Sequence, residues 1–193
     1  MDLSELLTPE RIRCQCNVQS KKRALQTLAE ILSQSLLPPE NEHDSDSEAQ
    51  AEPNGSKGSL ASRLLKTRPK SEDDAEKGAL SEMGILDAFI SRERLGSTSL
   101  DHGFALPHSR ICCIDKPVAA LITLENGVDY NATDNQAVDL VLGLLVPEEC
   151  NDEHLKILAT LAKRFSNEEF REQMRSHTAP AEMYDYLTNL APV

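Results

Sequence analysis

The run Val138-Asp139-Leu140-Val141-Leu142-Gly143-Leu144-Leu145-Val146 is apolar at nearly every position, broken only by Asp139 and Gly143. A strand with one face in water alternates apolar and polar residues, whereas a nearly continuous apolar strand needs cover on both faces. The run therefore predicts a strand buried on both sides and ended by Pro147. Strands mixed with helices then give an α/β domain whose sheet is covered on both sides.

The other elements supply that cover. Arg11 to Val18 alternates like a half-buried strand and places Cys14 and Cys16 on one face, turned inward. Ser20 reads as the N-cap of a helix in which Ala24, Leu25, Leu28, Ala29, Leu32 and Leu36 share a face, and Pro38-Pro39 ends it. Leu80 to Ile90 carries a second apolar helical face at Ile85, Leu86, Phe89 and Ile90. A short strand is expected to end at His108. Val118 to Leu124 reads as a strand and Asn126-Gly127 as a turn. Helices are expected over about 152–165, 167–176 and 178–190, the last with Thr178 as N-cap and Pro180 in its first turn.

Between the first two helices the character changes. Residues 38–77 hold no aromatic, valine or isoleucine, and their charge is blocky: six acids without Lys or Arg over 38–56, then five bases without an acid over 57–70. Such a stretch cannot bury enough apolar surface to offset its ordering entropy and is expected to be disordered. The expected organisation is one domain from 1–37 and 78–193 with a disordered charged insertion at 38–77. The insertion reads either as tolerated surface or as a docking segment for a regulator.

Composition excludes several function classes. A net charge of −12 speaks against a nucleic-acid partner, which would want a basic face. No apolar run approaches the ~18 residues that span a bilayer, so no membrane insertion is expected. Met1 to Glu5 lacks the basic and apolar regions of a secretory signal, and a cytoplasmic protein is expected. The five cysteines form an odd set best read as reduced thiols. Cys14-Gln15-Cys16 and Cys112-Cys113 lack zinc-site spacing, so no metal is expected. Gly55-Ser56-Lys57-Gly58-Ser59 fails the P-loop pattern, and no cofactor is expected.

Three blocks carry chemistry. In His102-Gly103-Phe104-Ala105-Leu106-Pro107-His108-Ser109-Arg110, a proline fixes the backbone just before His108, whose imidazole is a candidate nucleophile with an ordinary pKa near ~6.5. Arg92-Glu93-Arg94-Leu95-Gly96-Ser97-Thr98 supplies guanidinium and hydroxyl groups suited to a phosphoryl oxyanion. Asn151-Asp152-Glu153-His154 puts a second histidine at a helix start, where backbone N–H groups and the helix dipole favour an anion. Together they read as a site that carries a phosphoryl group on His108, with Arg92 neutralising its oxygens, Thr98 adding a hydroxyl and His154 donating to it. Loop backbone groups or the Ser109 hydroxyl would hold the second ring nitrogen. His43, His102 and His177 read as structural or incidental.

These blocks, with the opening Leu3-Ser4-Glu5-Leu6-Leu7-Thr8-Pro9-Glu10, resemble enzyme IIA of the fructose–mannitol class of the bacterial phosphotransferase system, and its nitrogen-regulatory branch most. The resemblance covers 1–37 and about 78–190. It implies a mixed sheet sandwiched between helices, with His108 matching the phosphorylated histidine, Arg92 the active-site arginine and His154 the second active-site histidine. Ser109 stands where the family often has glycine. The resemblance further implies an HPr-like phosphocarrier as donor, no metal, and regulatory protein targets such as potassium transport proteins or sensor kinases. The expected function is a regulatory phosphocarrier, a phosphotransferase component with a phosphohistidine intermediate rather than a small-molecule enzyme. Two alternatives stay open: a sugar-specific IIA that hands phosphate to a IIB or permease, and a protein-binding module indifferent to phosphorylation.

Overall fold

The computed structural model describes residues 3–37, 72–149 and 152–189. In chain order these form β1 (Ile12–Cys16), α1 (Lys21–Leu36), α2 (Glu72–Leu80), α3 (Glu82–Glu93), β2 (Ser99–Leu100), β3 (Phe104–Ala105), β4 (His108–Ile111), β5 (Val118–Val128), β6 (Val138–Pro147), α4 (Asp152–Phe165), α5 (Glu168–Ser176) and α6 (Pro180–Thr188). The strands make one sheet in the order β1-β5-β6-β3-β2, with β4 also pairing β6. β5 runs antiparallel to β6, while β3 and β4 run parallel to it. The fold is thus α/β, a mixed sheet between two helical layers. Among the described residues, no helix is long and apolar enough to cross a membrane.

β6 is the interior strand its composition demands. Leu140, Leu142, Leu144 and Val146 pack with Leu161, Phe165, Phe170, Met174, Met183 and Leu187 of α4 to α6. Val141 and Leu145, of opposite parity, pack with Leu28, Leu32, Ile85 and Phe89 of α1 and α3. Gly143 lies under that second layer, where a Cβ would come within 3.1 Å of Leu28 Cδ1 and 3.2 Å of Phe89 Cζ. The one charge in the run, Asp139, accepts two hydrogen bonds from the Arg175 guanidinium of α5, at 2.8 and 2.9 Å. Paired in this bidentate way, it does not disturb the strand.

Helix starts follow their caps. Ser20 Oγ accepts from Arg23 N, Ser81 Oγ from Gly84 N and Asn167 Oδ1 from Phe170 N, each satisfying an otherwise unpartnered helix N–H. α6 is an exception to the expectation. Its N-cap is Ala179, with no side-chain bond, and Thr178 lies outside it, because Pro180 itself takes the first helical position, where a missing N–H costs nothing.

Four other expectations change. Cys14 and Cys16 do not share a face: Cys14 packs against the α4–α6 layer and Cys16 against the α1–α3 layer. Gln15 between them has φ +56°, and its N–H bonds Thr123 Oγ1, so the register shifts and the two-residue repeat is lost. Asn126-Gly127 is not a turn: β5 continues to Val128 across a register shift, with Gly127 so near Ala137 that a Cβ would lie 2.9 Å from its Cβ. His108 begins β4 instead of ending a strand, since Pro107 separates β3 from β4. Finally, α2 starts at Glu72, within the stretch expected to lack order. It packs on α3 and buries Leu80, an anchor that the composition of 72–77 alone does not reveal. Residues 38–71 lie outside the described residues.

The packing over Gly143 yields a test. Gly143→Val should lower stability by about 1–3 kcal/mol, the usual cost of overpacking a filled core, measured by urea denaturation. An unchanged midpoint would mean that α1 and α3 can draw back from the sheet.

Candidate functional site

Three elements converge at one end of the sheet. Arg92 lies in the last turn of α3, His108 opens β4, and His154 lies in the first turn of α4. Pairing of His108 with Leu144 of β6 ties the histidine backbone to the most buried strand. The His108 and His154 rings meet edge to face, with centroids 5.5 Å apart and planes at 71°. They line an open cleft of about 430 Å³ together with Ala88, Ser91, Arg92, Leu95, Ser109 and Arg110. Among the described residues that line it, none is an acid.

Hydrogen bonding fixes the state of His108. Its Nδ1 lies 2.8 Å from the Leu106 carbonyl, which can only accept, so Nδ1 carries the proton. The lone pair is then on Nε2, which accepts from Arg92 Nε at 3.2 Å. The two contacts agree on one neutral tautomer. Arg92 is held in turn through Nη1, which donates to the Gly96 carbonyl at 3.1 Å. His154 is only 8% exposed, and its Nε2 is buried without a hydrogen-bond partner among the described residues. An unpartnered polar atom in a cleft is a group available to a ligand.

Burial and nearby cations favour the neutral form of both rings. Burial pushes the His108 pKa below the ordinary imidazole value; the Leu106 carbonyl opposes this and the Arg92 cation adds to it. Burial also lowers His154, helped by His108, Arg110 and Arg92. The site thus combines an unprotonated ring nitrogen with two guanidinium groups. Such a combination can form a bond to an electrophilic phosphorus while stabilising the oxygens around it.

Of the residues expected from sequence, His108, Arg92 and His154 come together, and Ser109 lines the same cleft. The partner of Nδ1 is the Leu106 carbonyl, not the Ser109 hydroxyl, which turns to the Arg110 carbonyl at 3.4 Å. Thr98 does not line the cleft. It is buried, and both its N–H and its hydroxyl donate to the Glu93 carboxylate, so its hydroxyl is already committed. Arg110 and Leu95 were not expected. Arg110 was legible in principle, since it stands two residues after His108 on a strand and so shares its face. Leu95, 85% exposed, has no such signal. His102 N–H bonds Asp134, and His177 Nδ1 donates to the Gln173 carbonyl, both apart from the cleft. His43 lies outside the described residues. Among the described residues, no group of three or more His, Cys, Asp or Glu is placed to hold a metal ion.

Known proteins match both the sequence and the fold. Residues 73–190 match the family described as phosphoenolpyruvate-dependent sugar phosphotransferase system, EIIA 2. The chain is 32% identical over 140 residues to a nitrogen regulatory protein of Pseudomonas aeruginosa, spanning 72% of this chain and 86% of that one. It is 27% identical over 186 residues to a nitrogen regulatory protein homolog of Haemophilus influenzae, spanning 95% and 89% respectively. The crystal structure of nitrogen regulatory protein IIA-Ntr from Neisseria meningitidis superposes with a TM-score of 0.70 at 26% identity, covering 96% of this chain and 99% of that one.

The desolvated histidines give a pH prediction. Both should titrate below the free imidazole value of ~6.5, and Arg92→Gln should raise both midpoints by removing a nearby cation. Below ~6.5 the unfolded chain binds more protons than the folded one, so these groups make stability fall as pH drops through their folded pKa values. Side-chain NMR titration measures the midpoints. A value at or above that of free imidazole would contradict a neutral, desolvated pair.

Proposed function

Because the chain belongs to the phosphoenolpyruvate-dependent sugar phosphotransferase system EIIA 2 family, we propose that it is a regulatory phosphocarrier that accepts a phosphoryl group on Nε2 of His108 from an HPr-like protein. The observation that carries this reading is the single neutral tautomer of His108, its lone pair directed at the Arg92 guanidinium in a cleft that Arg110 and His154 also line.

In this reading the Nε2 lone pair attacks the phosphorus of the donor's phosphohistidine. The new N–P bond forms as the donor's N–P bond breaks, and that electron pair returns to the donor's ring nitrogen. The ring of His108 gains positive charge in the step, and the Leu106 carbonyl, accepting from Nδ1–H, shares it. Arg92 moves its hydrogen bond from Nε2 to the phosphoryl oxygens, only a short shift for a guanidinium still anchored on Gly96. His154 Nε2, having no other partner, supplies a further hydrogen bond to the same oxygens.

The carrier domain comprises residues 1–37 with the chain from α2 onward, and the charged segment between them is an insertion. The nitrogen-regulatory names of the relatives support control of protein targets by phosphorylation state over sugar delivery. Potassium transport proteins and sensor kinases are the target classes proposed, in the cytoplasm, where an HPr-like donor works.

Incubation with an HPr-like carrier, enzyme I and phosphoenolpyruvate should add one acid-labile, base-stable group of about 80 Da, a single phosphoryl, read by intact mass. His108→Ala should abolish it, and Arg92→Ala should slow it by about a hundredfold, as loss of a charge-stabilising donor does. Stoichiometric labelling of His108→Ala would remove His108 from the role.

A further inference from the structure

We propose that Glu93, a buried carboxylate outside the cleft, is a positioning residue that sets both the tautomer of His108 and the placement of Arg92. The inference deepens the phosphocarrier reading and rests on it for its catalytic meaning.

Glu93 follows Arg92 in the chain, yet its side chain points the other way and is only 7% exposed. Its carboxylate accepts from Lys21 Nζ at 2.6 Å, from Thr98 N–H at 2.9 Å, and from the Thr98 hydroxyl. Lys21 opens α1, donates also to the Tyr130 carbonyl at 3.2 Å, and lies over the Tyr130 ring at 4.6 Å. The same carbonyl accepts from the Ser97 hydroxyl at 2.8 Å. A buried carboxylate is tolerable only when paired and hydrogen-bonded, and all of these bonds converge on one short loop.

Residues 94–98 lie outside any helix or strand. What they hold matters at two points. The Gly96 carbonyl accepts from Arg92 Nη1. The Thr98 carbonyl accepts from Leu106 N–H at 3.0 Å, and the Leu106 carbonyl accepts from His108 Nδ1 at 2.8 Å. A continuous chain of bonds therefore runs from Lys21 through Glu93, Thr98 and Leu106 to His108, with a branch through Gly96 to Arg92. If Thr98 moves, the Leu106 peptide loses its tether and His108 loses the acceptor that keeps its proton on Nδ1. The lone pair then divides between the two ring nitrogens, and only Nε2 faces Arg92.

The test reads the tautomer directly. In wild type, imidazole ¹⁵N shifts of His108 should report the Nδ1–H form almost alone. Glu93→Ala and Thr98→Val should each give a mixture of tautomers. Both should lower the rate constant for phosphoryl transfer by about tenfold or more, as misplacement of a reacting group does. The donor concentration for half-maximal rate should not move, because neither residue lines the cleft. Glu93→Gln keeps an acceptor oxygen for Thr98 N–H and should recover most of both readouts. A folded Glu93→Ala with the wild-type tautomer and rate would overturn the proposal. If Glu93→Ala does not fold, Thr98→Val, which removes one hydroxyl, decides in the same way. A tautomer shift in a protein whose wild type takes no phosphate would sink the phosphocarrier reading and leave the positioning role intact.

Discussion

Burial of β6 on both faces is the constraint on which the molecule turns. A strand whose two parities are both apolar leaves no face for water, so one layer of helices cannot suffice. α1 and α3 take one parity and α4 to α6 the other. That division brings the end of α3 and the start of α4 to the same end of the sheet, on either side of the strand that pairs with β6. His108 opens that strand. The candidate site is thus a consequence of how the interior strand is covered.

The electrostatic character of the cleft is local and opposite to that of the chain. The protein carries a net charge of −12, yet the described residues lining the cleft include Arg92 and Arg110 and no acid. The carboxylate next to Arg92 in the chain, Glu93, is turned inward and paired with Lys21. Had that carboxylate faced the cleft, it would have repelled an incoming anion and opposed the lowered His108 pKa more strongly than it does from its inward position. Directing it at Thr98 instead turns a local liability into a hydrogen-bond anchor, while the neutral imidazoles keep a free lone pair for bond formation.

Much of this was legible before any coordinates. The strand β6, the amphipathic faces of α1 and α3, and the Ser20 cap that forms as expected are short-range patterns, set by periodicity and local hydrogen bonding. The juxtaposition of His108, Arg92 and His154 was legible through the resemblance of three blocks. Competing partners that local pattern does not reveal account for what was misread. Gln15 gives its N–H to Thr123, more than a hundred residues away, and this separates Cys14 from Cys16 onto opposite faces. Gly127 reads as a turn residue but is there for its close approach to Ala137. Thr98 reads as a ligand to an anion because its hydroxyl is free in the sequence; in the fold that hydroxyl already belongs to Glu93.

The sequence by itself determined the layer architecture, since an apolar strand and amphipathic helices have few ways to hide their surfaces. It also determined which side chains are chemically able to carry and stabilise a phosphoryl group. Only the tertiary structure decided which nitrogen of His108 bears the lone pair, whether Thr98 faces the cleft, and which arginines flank the ring. Those outcomes depend on the direction of individual hydrogen bonds whose partners only the folded chain brings into place: the Leu106 carbonyl to Nδ1, the Glu93 carboxylate to Thr98, and the Arg92 guanidinium to Nε2. Hydrophobic burial is non-directional and can be read from pattern, whereas a hydrogen bond needs both partners in place before its direction exists.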